Sequence, residues 1–387
     1  MHAGRALSAI TAIACVAALS TLTGCGESRS SDTARSPAAS ARSGTTRGFV
    51  LTHFAVANRP SGPAECPNGF ALTERDFYLA KLSPAERARE ERANTDWIRR
   101  LSVDRHGPNQ CSQPTAYENP GHITLDGPAV VDGFDLDGSP ANPATFGSCP
   151  HLEFTAPDGT TGIDNQLWRV VGCIKGYQPG SVIDEYAVAN IKSGSRTILI
   201  EISDLDDERN DDSVTVGIYS SHDPVPIDAA GNIAAHASYQ VTPNRRYHAV
   251  LQGKLTDGVV TAGPIEELYL EYNGQFLESE YQFRNARVRL ELKEDGTVEG
   301  LIGGYWDVEA FYDAHGRQAT RAGAFSIGYT CPGFYHALRE AADGYPDPQT
   351  GRCTAISTAF RLRGVPAFVV HQEPSEPVVT AQAADHD

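Results

Sequence analysis

From about residue 182 onward the chain repeats one pattern: short runs in which apolar and polar side chains alternate. In Ala286–Leu292, Val288, Leu290 and Leu292 fall on one side of an extended chain, and Arg287, Arg289 and Glu291 on the other. A period of two is that of a strand with one buried face. The runs 196–202, 213–219, 247–252 and 267–271 are likewise rich in β-branched and aromatic residues, the types that suit a pleated surface. Asp257-Gly258 and Asp295-Gly296 punctuate them, and the second, between 287–293 and 297–302, predicts a hairpin. Residues 355–362 and 366–370 read as closing strands. Neither a strand–helix rhythm nor an internal repeat is present. The expected fold class is therefore mainly β, an antiparallel β-sandwich or barrel with a short N-terminal helical segment.

That helix has a defined start. Ser83 stands at the N-cap position, Pro84 at the first helical position and Glu86 where a capping box needs its acid. The charged segment that follows predicts a surface helix running to about Leu101, docked through Trp97, Ile98 and Leu101. Residues 104–180 are rich in Gly, Pro, Asn and Asp and read as loops. A second short helix is expected over 332–342, followed by a loop to Gly351.

The first 25 residues follow a different rule. Arg5 precedes an uncharged apolar stretch, Ala6–Leu22, which ends in Leu22-Thr23-Gly24-Cys25. The stretch is that of an export signal and short for a membrane span. Its end resembles the lipobox of bacterial lipoproteins. The resemblance implies cleavage before Cys25, lipidation of Cys25 and attachment to the membrane through that lipid. Gly26, rather than Asp, after the cysteine implies sorting to the outer membrane. Small polar residues and arginines over 26–48 predict a flexible tether. The expected organisation is signal peptide 1–24, lipidated cysteine and tether 25–48, a helical and loop-rich cysteine-containing region 49–180, an antiparallel β domain 181–372, and a loose tail 373–387.

Of eight cysteines, Cys15 falls in the signal and Cys25 at the lipid site. Cys66, Cys111, Cys149, Cys173, Cys331 and Cys353 remain, an even number in an exported chain. They predict three disulfides. Sequential pairing (66–111, 149–173, 331–353) is the expectation, each bridge closing a local loop. No Cys-x-x-Cys pair is present, and Cys149-Pro150-His151 is too closely spaced for a usual zinc motif.

A net charge of -17 argues against nucleic acid as a partner, because phosphate binding needs clustered Lys and Arg. The first 48 residues are themselves net positive, so the body is more acidic than the whole chain. Its acidic residues gather in three motifs: Asp132-Gly-Phe-Asp135-Leu-Asp137-Gly138, then Asp158-Gly-Thr-Thr-Gly-Ile-Asp164-Asn165-Gln166, then Asp204–Asp212 with six carboxylates in nine residues. Carboxylates crowded on glycine-permitted turns can supply the oxygens calcium wants; the other reading is that they are solvated acidic turns, since Asp, Asn and Gly are ordinary turn residues. The candidate ligands are Asp135, Asp137, Asp158, Asp164, Asp204, Asp206, Asp211 and Asp212. An EF-hand alignment of the first motif puts Gly133 and Ala144 where key ligands belong, so that loop type is not expected. The pairing of DGFDLDG with DGTTGIDNQ resembles uncharacterised secreted lipoproteins of myxobacterial type, which carry no assigned activity.

Catalytic motifs of the H-E-x-x-H, G-x-S-x-G and phosphate-loop kinds are absent from the sequence. Glu278 and Glu280, two apart on a strand, are the candidate pair for glycoside hydrolysis, and Trp306 a candidate aromatic platform or core residue. The reading with most support is a membrane-anchored, extracytoplasmic binding or envelope module, calcium-stabilised, with a glycan or an envelope protein as partner. The alternative is a polysaccharide-acting hydrolase on a lectin-like sandwich.

Overall fold

The computed structural model describes residues 44–71, 79, 82–92, 110–139, 142–143, 145–274, 277–317 and 327–371. Cys25, the signal and the tail from 373 lie outside them.

The alternating runs form one closed barrel. Its strands are β1 (Thr45–Val56), β6 (Thr197–Leu205), β7 (Asp211–Ser221), β9 (His248–Thr256), β10 (Val259–Gly274), β11 (Leu277–Leu292), β12 (Val298–Asp307) and β14 (Cys353–Val370). In that order each pairs antiparallel with the next. Pairing of β14 with β1 closes the ring, with Phe49 opposite Pro366 and Phe54 opposite Leu362. Closure removes the unpaired edges that an open sheet would expose. The remaining strands are two short ribbons, β2 (Gly138–Ser139) with β3 (Asn142–Pro143) and β4 (Phe154–Thr155) with β5 (Thr161–Ile163). β8 (Ala237–Gln240) and β13 (Gly344–Pro346) lie against the two ends of β14.

Both expected Asp-Gly turns are present. Asp257 and Gly258 take φ of 50° and 83° between β9 and β10, the left-handed pair of the two-residue hairpin. At the second turn the Lys293 N–H donates to Thr297 O at 2.9 Å. The helices are α1 (Pro84–Arg92), α2 (Gln166–Val171), α3 (Val182–Lys192), α4 (Val308–Tyr312) and α5 (Cys331–Glu340). The capping box of α1 forms as the sequence predicts: Ser83 N–H donates to Glu86 Oε2 at 3.0 Å and Glu86 N–H to Ser83 Oγ at 3.4 Å. The rest of the helix expected to Leu101 lies outside the described residues.

The barrel interior is filled by aromatic rings. Phe360 stacks on Phe54 at 5.2 Å between centroids and meets Tyr281 and Phe283 edge-on at 5.4 Å. Trp306 leans on Phe283 at 5.6 Å. A barrel of eight strands is just wide enough for side chains to occupy its interior. Trp306, expected as an aromatic platform or a core residue, is core, and strand alternation turns it and Tyr305 to opposite faces. Both are fully buried, Trp306 in the main core and Tyr305 in a separate cluster with Leu136 and Ala355.

That second cluster marks where the segment 130–165 packs against β12 and β14. Gly303 permits it, because a Cβ there would stand 2.4 Å from the Phe134 ring.

Three expectations need correction. Residues 45–48, read as tether, begin β1: Thr45 pairs with Leu205 and Arg47 with Ile202, and Arg47 reaches Glu208 at 3.0 Å. A cross-strand partner outweighs a polar local composition. The boundary at 180 does not divide the fold, since β1 completes the barrel and the described residues fall in one compact unit. All six body cysteines form disulfides, but as Cys66–Cys173, Cys111–Cys331 and Cys149–Cys353. Separations of 107, 220 and 204 residues replace short local loops, because segments distant in sequence are laid together on the barrel. Loops of that size raise the chain-entropy contribution to roughly 5 kcal/mol each.

Candidate functional site

The first two acidic motifs, separate in sequence, interlock. The Asp164 N–H donates to Phe134 O at 2.8 Å. Its carboxylate Oδ2 accepts the N–H groups of Leu136 at 2.6 Å and Asp137 at 3.1 Å. Asn165 Nδ2 donates to Asp132 O at 2.9 Å, while its Oδ1 accepts the Trp168 N–H at the start of α2. Gln166 Nε2 donates to Leu152 O at 2.8 Å. Asp164 and Asn165 thus hold the DGFDLDG loop by its own backbone, and Gln166 holds the chain at Leu152. From outside, Arg59 and Arg361 grip Asp132 Oδ2 at 3.3 and 2.5 Å, and Arg287 donates to Asp135 O.

His151 enters this junction. Its Nε2 lies 2.9 Å from Asp164 Oδ1 and its Nδ1 2.8 Å from Cys149 O. Asp137 completes a trio: one ligand atom from each of Asp137, His151 and Asp164 lies within 4.8 Å of the others. Asp164 is fully buried, the His151 ring is nearly so, and Asp137 is partly exposed. The bond to Asp164, opposed by burial and helped by the Cys149 carbonyl, raises the His151 pKa to about 9. Burial raises that of Asp137.

Behind the trio lies Asp343, 1% exposed. Its backbone oxygen accepts the Cys149 N–H at 2.8 Å, so Asp343 and His151 hold opposite ends of one residue. Its Oδ1 accepts the Ser357 N–H at 2.7 Å, and Ser357 Oγ accepts the Gln166 N–H at 2.8 Å. Its Oδ2 has no hydrogen-bond partner, and neither has the buried hydroxyl of Tyr305. Tyr305 stands opposite Ser357 in the β12–β14 ladder. Its ring lies against Gly344, where a Cβ would come within 2.4 Å. Burial, opposed by the Ser357 bonds and the charge of His151, lifts the Asp343 pKa to about 7.

Of the other expected cation ligands, Asp135 Oδ1 accepts the Gly138 N–H at 2.7 Å and Asp158 Oδ1 the Thr160 N–H at 3.0 Å. Each closes its own turn. The third motif is the β6–β7 hairpin. Asp204 Oδ2 accepts from Thr215 Oγ1 at 2.7 Å and Asp211 Oδ2 from the Asp206 N–H at 2.7 Å. Asp207 Oδ1 accepts the N–H groups of Arg209 and Asn210, and Asp212 is exposed. These carboxylates serve the hairpin backbone and the neighbouring strand.

For the glycosidase pair, Glu280 is clamped by Arg246 through two bonds of 2.7 and 2.6 Å, and the Glu278 side chain lies outside the described residues. Sequence reading set His151 aside with Cys149 and did not single out Asp343 or Tyr305 as site residues. His151 carried a signal, as a histidine lying between two acidic motifs. Asp343 and Tyr305 carried none.

No protein-family model matches the chain, no curated protein matches it in sequence, and no solved structure matches its fold.

Proposed function

We propose that the chain is an exported, lipid-anchored binding module of the cell envelope, attached through Cys25 and sorted to the outer membrane. The barrel is its scaffold, and the loop junction over β12 and β14 its binding face. One observation carries the binding reading: two acidic motifs are drawn onto a single half-buried histidine, His151, beside Asp137 and the fully buried Asp164. Carboxylates brought together in a buried place call for a positive partner. His151 supplies one in the metal-free protein, and a cation is the ligand chemistry the junction suits. The export reading rests on the Leu22-Thr23-Gly24-Cys25 sequence and on three disulfides, which persist in oxidising compartments. The hydrolase alternative has less support, since the Glu280 carboxylate is committed to Arg246.

Fractionation tests the anchoring. Cys25→Ser should leave the protein in the soluble extracytoplasmic fraction, whereas the parent should sediment with membranes and release only into detergent. Membrane association of a processed Cys25→Ser protein would refute the lipid anchor.

A further inference from the structure

We infer that Asp137, His151 and Asp164 form a binding site for a divalent transition metal of the zinc class. The inference rests on the loop junction being the binding face and names the ligand it takes; it does not depend on the lipid anchor.

The donor set is that of zinc rather than calcium. One imidazole nitrogen and two carboxylates match the N/O ligation of zinc. Calcium wants six to eight oxygens, and the junction brings together far fewer, since Asp135 and Asp158 spend an oxygen each on their own turns. His151 Nε2 and Asp164 Oδ1, 2.9 Å apart, already stand near the edge of a zinc coordination polyhedron, about 3.3 Å for bonds of about 2.0–2.1 Å. Asp137 is partly exposed and its carboxylate is hydrogen-bonded by the Ser148 side chain, so it joins the ion by exchanging that bond for the metal.

His151 and Asp164 are both oriented from behind. Donation of Nδ1–H to Cys149 O aims Nε2 at the carboxylates, as backbone carbonyls orient metal-bound histidines; in the metal-free protein Nε2–H donates to Asp164 Oδ1, and metal binding releases that proton to solvent. Asp164 commits Oδ2 to two backbone N–H groups and leaves Oδ1 for the ion.

A second observation, independent of the trio, points to a ligand. The Asp343 Oδ2 and the Tyr305 hydroxyl are both buried without a hydrogen-bond partner. Buried polar groups are otherwise almost always paired. Asp343 is tied to the site at two points, through Cys149 to His151 and through Ser357 to Gln166, two residues from Asp164. A metal with its bound water supplies both the charge and the hydrogen bonds that these groups lack.

The test uses the full-length protein in detergent, stripped with chelator and dialysed. Zinc titration followed by metal analysis should find one equivalent per chain, and cobalt(II) should give a visible ligand-field band that zinc abolishes. Asp137→Asn should weaken zinc binding at least about 100-fold while leaving the circular dichroism and melting temperature of the metal-free protein unchanged. His151→Gln should remove the cobalt band; should that variant fail to fold, Asp137→Asn decides. Absence of stoichiometric zinc, or equal binding by parent and Asp137→Asn, overturns the site. Displacement of cobalt by millimolar calcium overturns the zinc-class assignment and leaves the junction a hard-cation site. Neither result bears on Cys25, whose fractionation is read separately.

Discussion

The backbone N–H of Gln166 donates to Ser357 Oγ at 2.8 Å, joining the start of α2 to a barrel strand 191 residues away. Ser357 in turn donates its own N–H to Asp343 Oδ1 at 2.7 Å. One fully buried residue on β14 therefore positions both, the Asp164 turn through its hydroxyl and the Asp343 carboxylate through its backbone N–H. Ser357→Ala would leave the Gln166 N–H buried and unpaired, which costs about 1–3 kcal/mol. Chemical denaturation should show that loss, with Ser357→Thr losing less if its hydroxyl keeps the bond. An unchanged midpoint for Ser357→Ala would remove this link.

The Cys149–Cys353 bridge ties the His151 loop to the first residue of β14. Replacing both cysteines with serine should lower stability by about 2–5 kcal/mol and loosen the site selectively. Hydrogen exchange should accelerate at residues 148–153 before it does in β9 or β10. A uniform acceleration would mean that the bridge supports the whole barrel rather than this loop.

His315 governs part of the acid response. Its ring stacks on Phe311 at 4.3 Å and meets Trp306 at 5.2 Å. Burial, with the charge of Arg196 adding to it, lowers the pKa to about 4. Unfolded, the same ring titrates near 6.5. Between about pH 4 and 6.5 the unfolded chain therefore binds the extra proton, so stability is retained above pH 6.5 and lost as pH falls toward 4. The loss is on the order of 2–3 kcal/mol. In His315→Gln the drop in urea midpoint between pH 7.5 and 4.5 should be smaller than in the parent. Parallel curves would show that His315 does not titrate in this window.

Phe360 is packed by Phe54, Tyr281, Phe283 and Trp306 and is 2% exposed. Phe360→Ala should cost about 3–5 kcal/mol, because the surrounding strands are paired on both sides and cannot collapse into the space. A cost below about 1 kcal/mol would mean that the interior is not packed as described.

Calcium should not act through the β6–β7 hairpin. Asp206→Asn with Asp211→Asn should leave any calcium-dependent shift in melting temperature unaltered, since Asp211 already holds the turn through the Asp206 N–H. Loss of a calcium-specific shift in that double variant would return the hairpin to the list of cation sites.

What the chain determines locally was legible in its residues. The two-residue alternation of 286–292, the Asp-Gly turns and the Ser83/Glu86 capping box each depend on side chains a few positions apart, and all three form. The even count of body cysteines likewise anticipated three bridges, because the count does not depend on which cysteines meet. Their pairing does depend on it: only closure of the barrel between β1 and β14 brings Cys149 to Cys353 and Cys111 to Cys331. The choice of barrel over sandwich was undecided for the same reason, since the alternation specifies a buried face but not whether the last strand returns to the first. The candidate site divides in the same way. Asp137 and Asp164 stood out as acidic turn residues, as did Asp204 and Asp211, and local composition gave no means to separate the pairs. The tertiary structure separates them. Asp204 and Asp211 bond to their own hairpin and stay near solvent, whereas Asp164 is carried beneath the 132–138 loop, away from water, to meet His151 from one segment with Asp343 and Tyr305 from two others behind it. Long-range strand pairing and burial, neither of which has a sequence period, decide which carboxylates become chemistry.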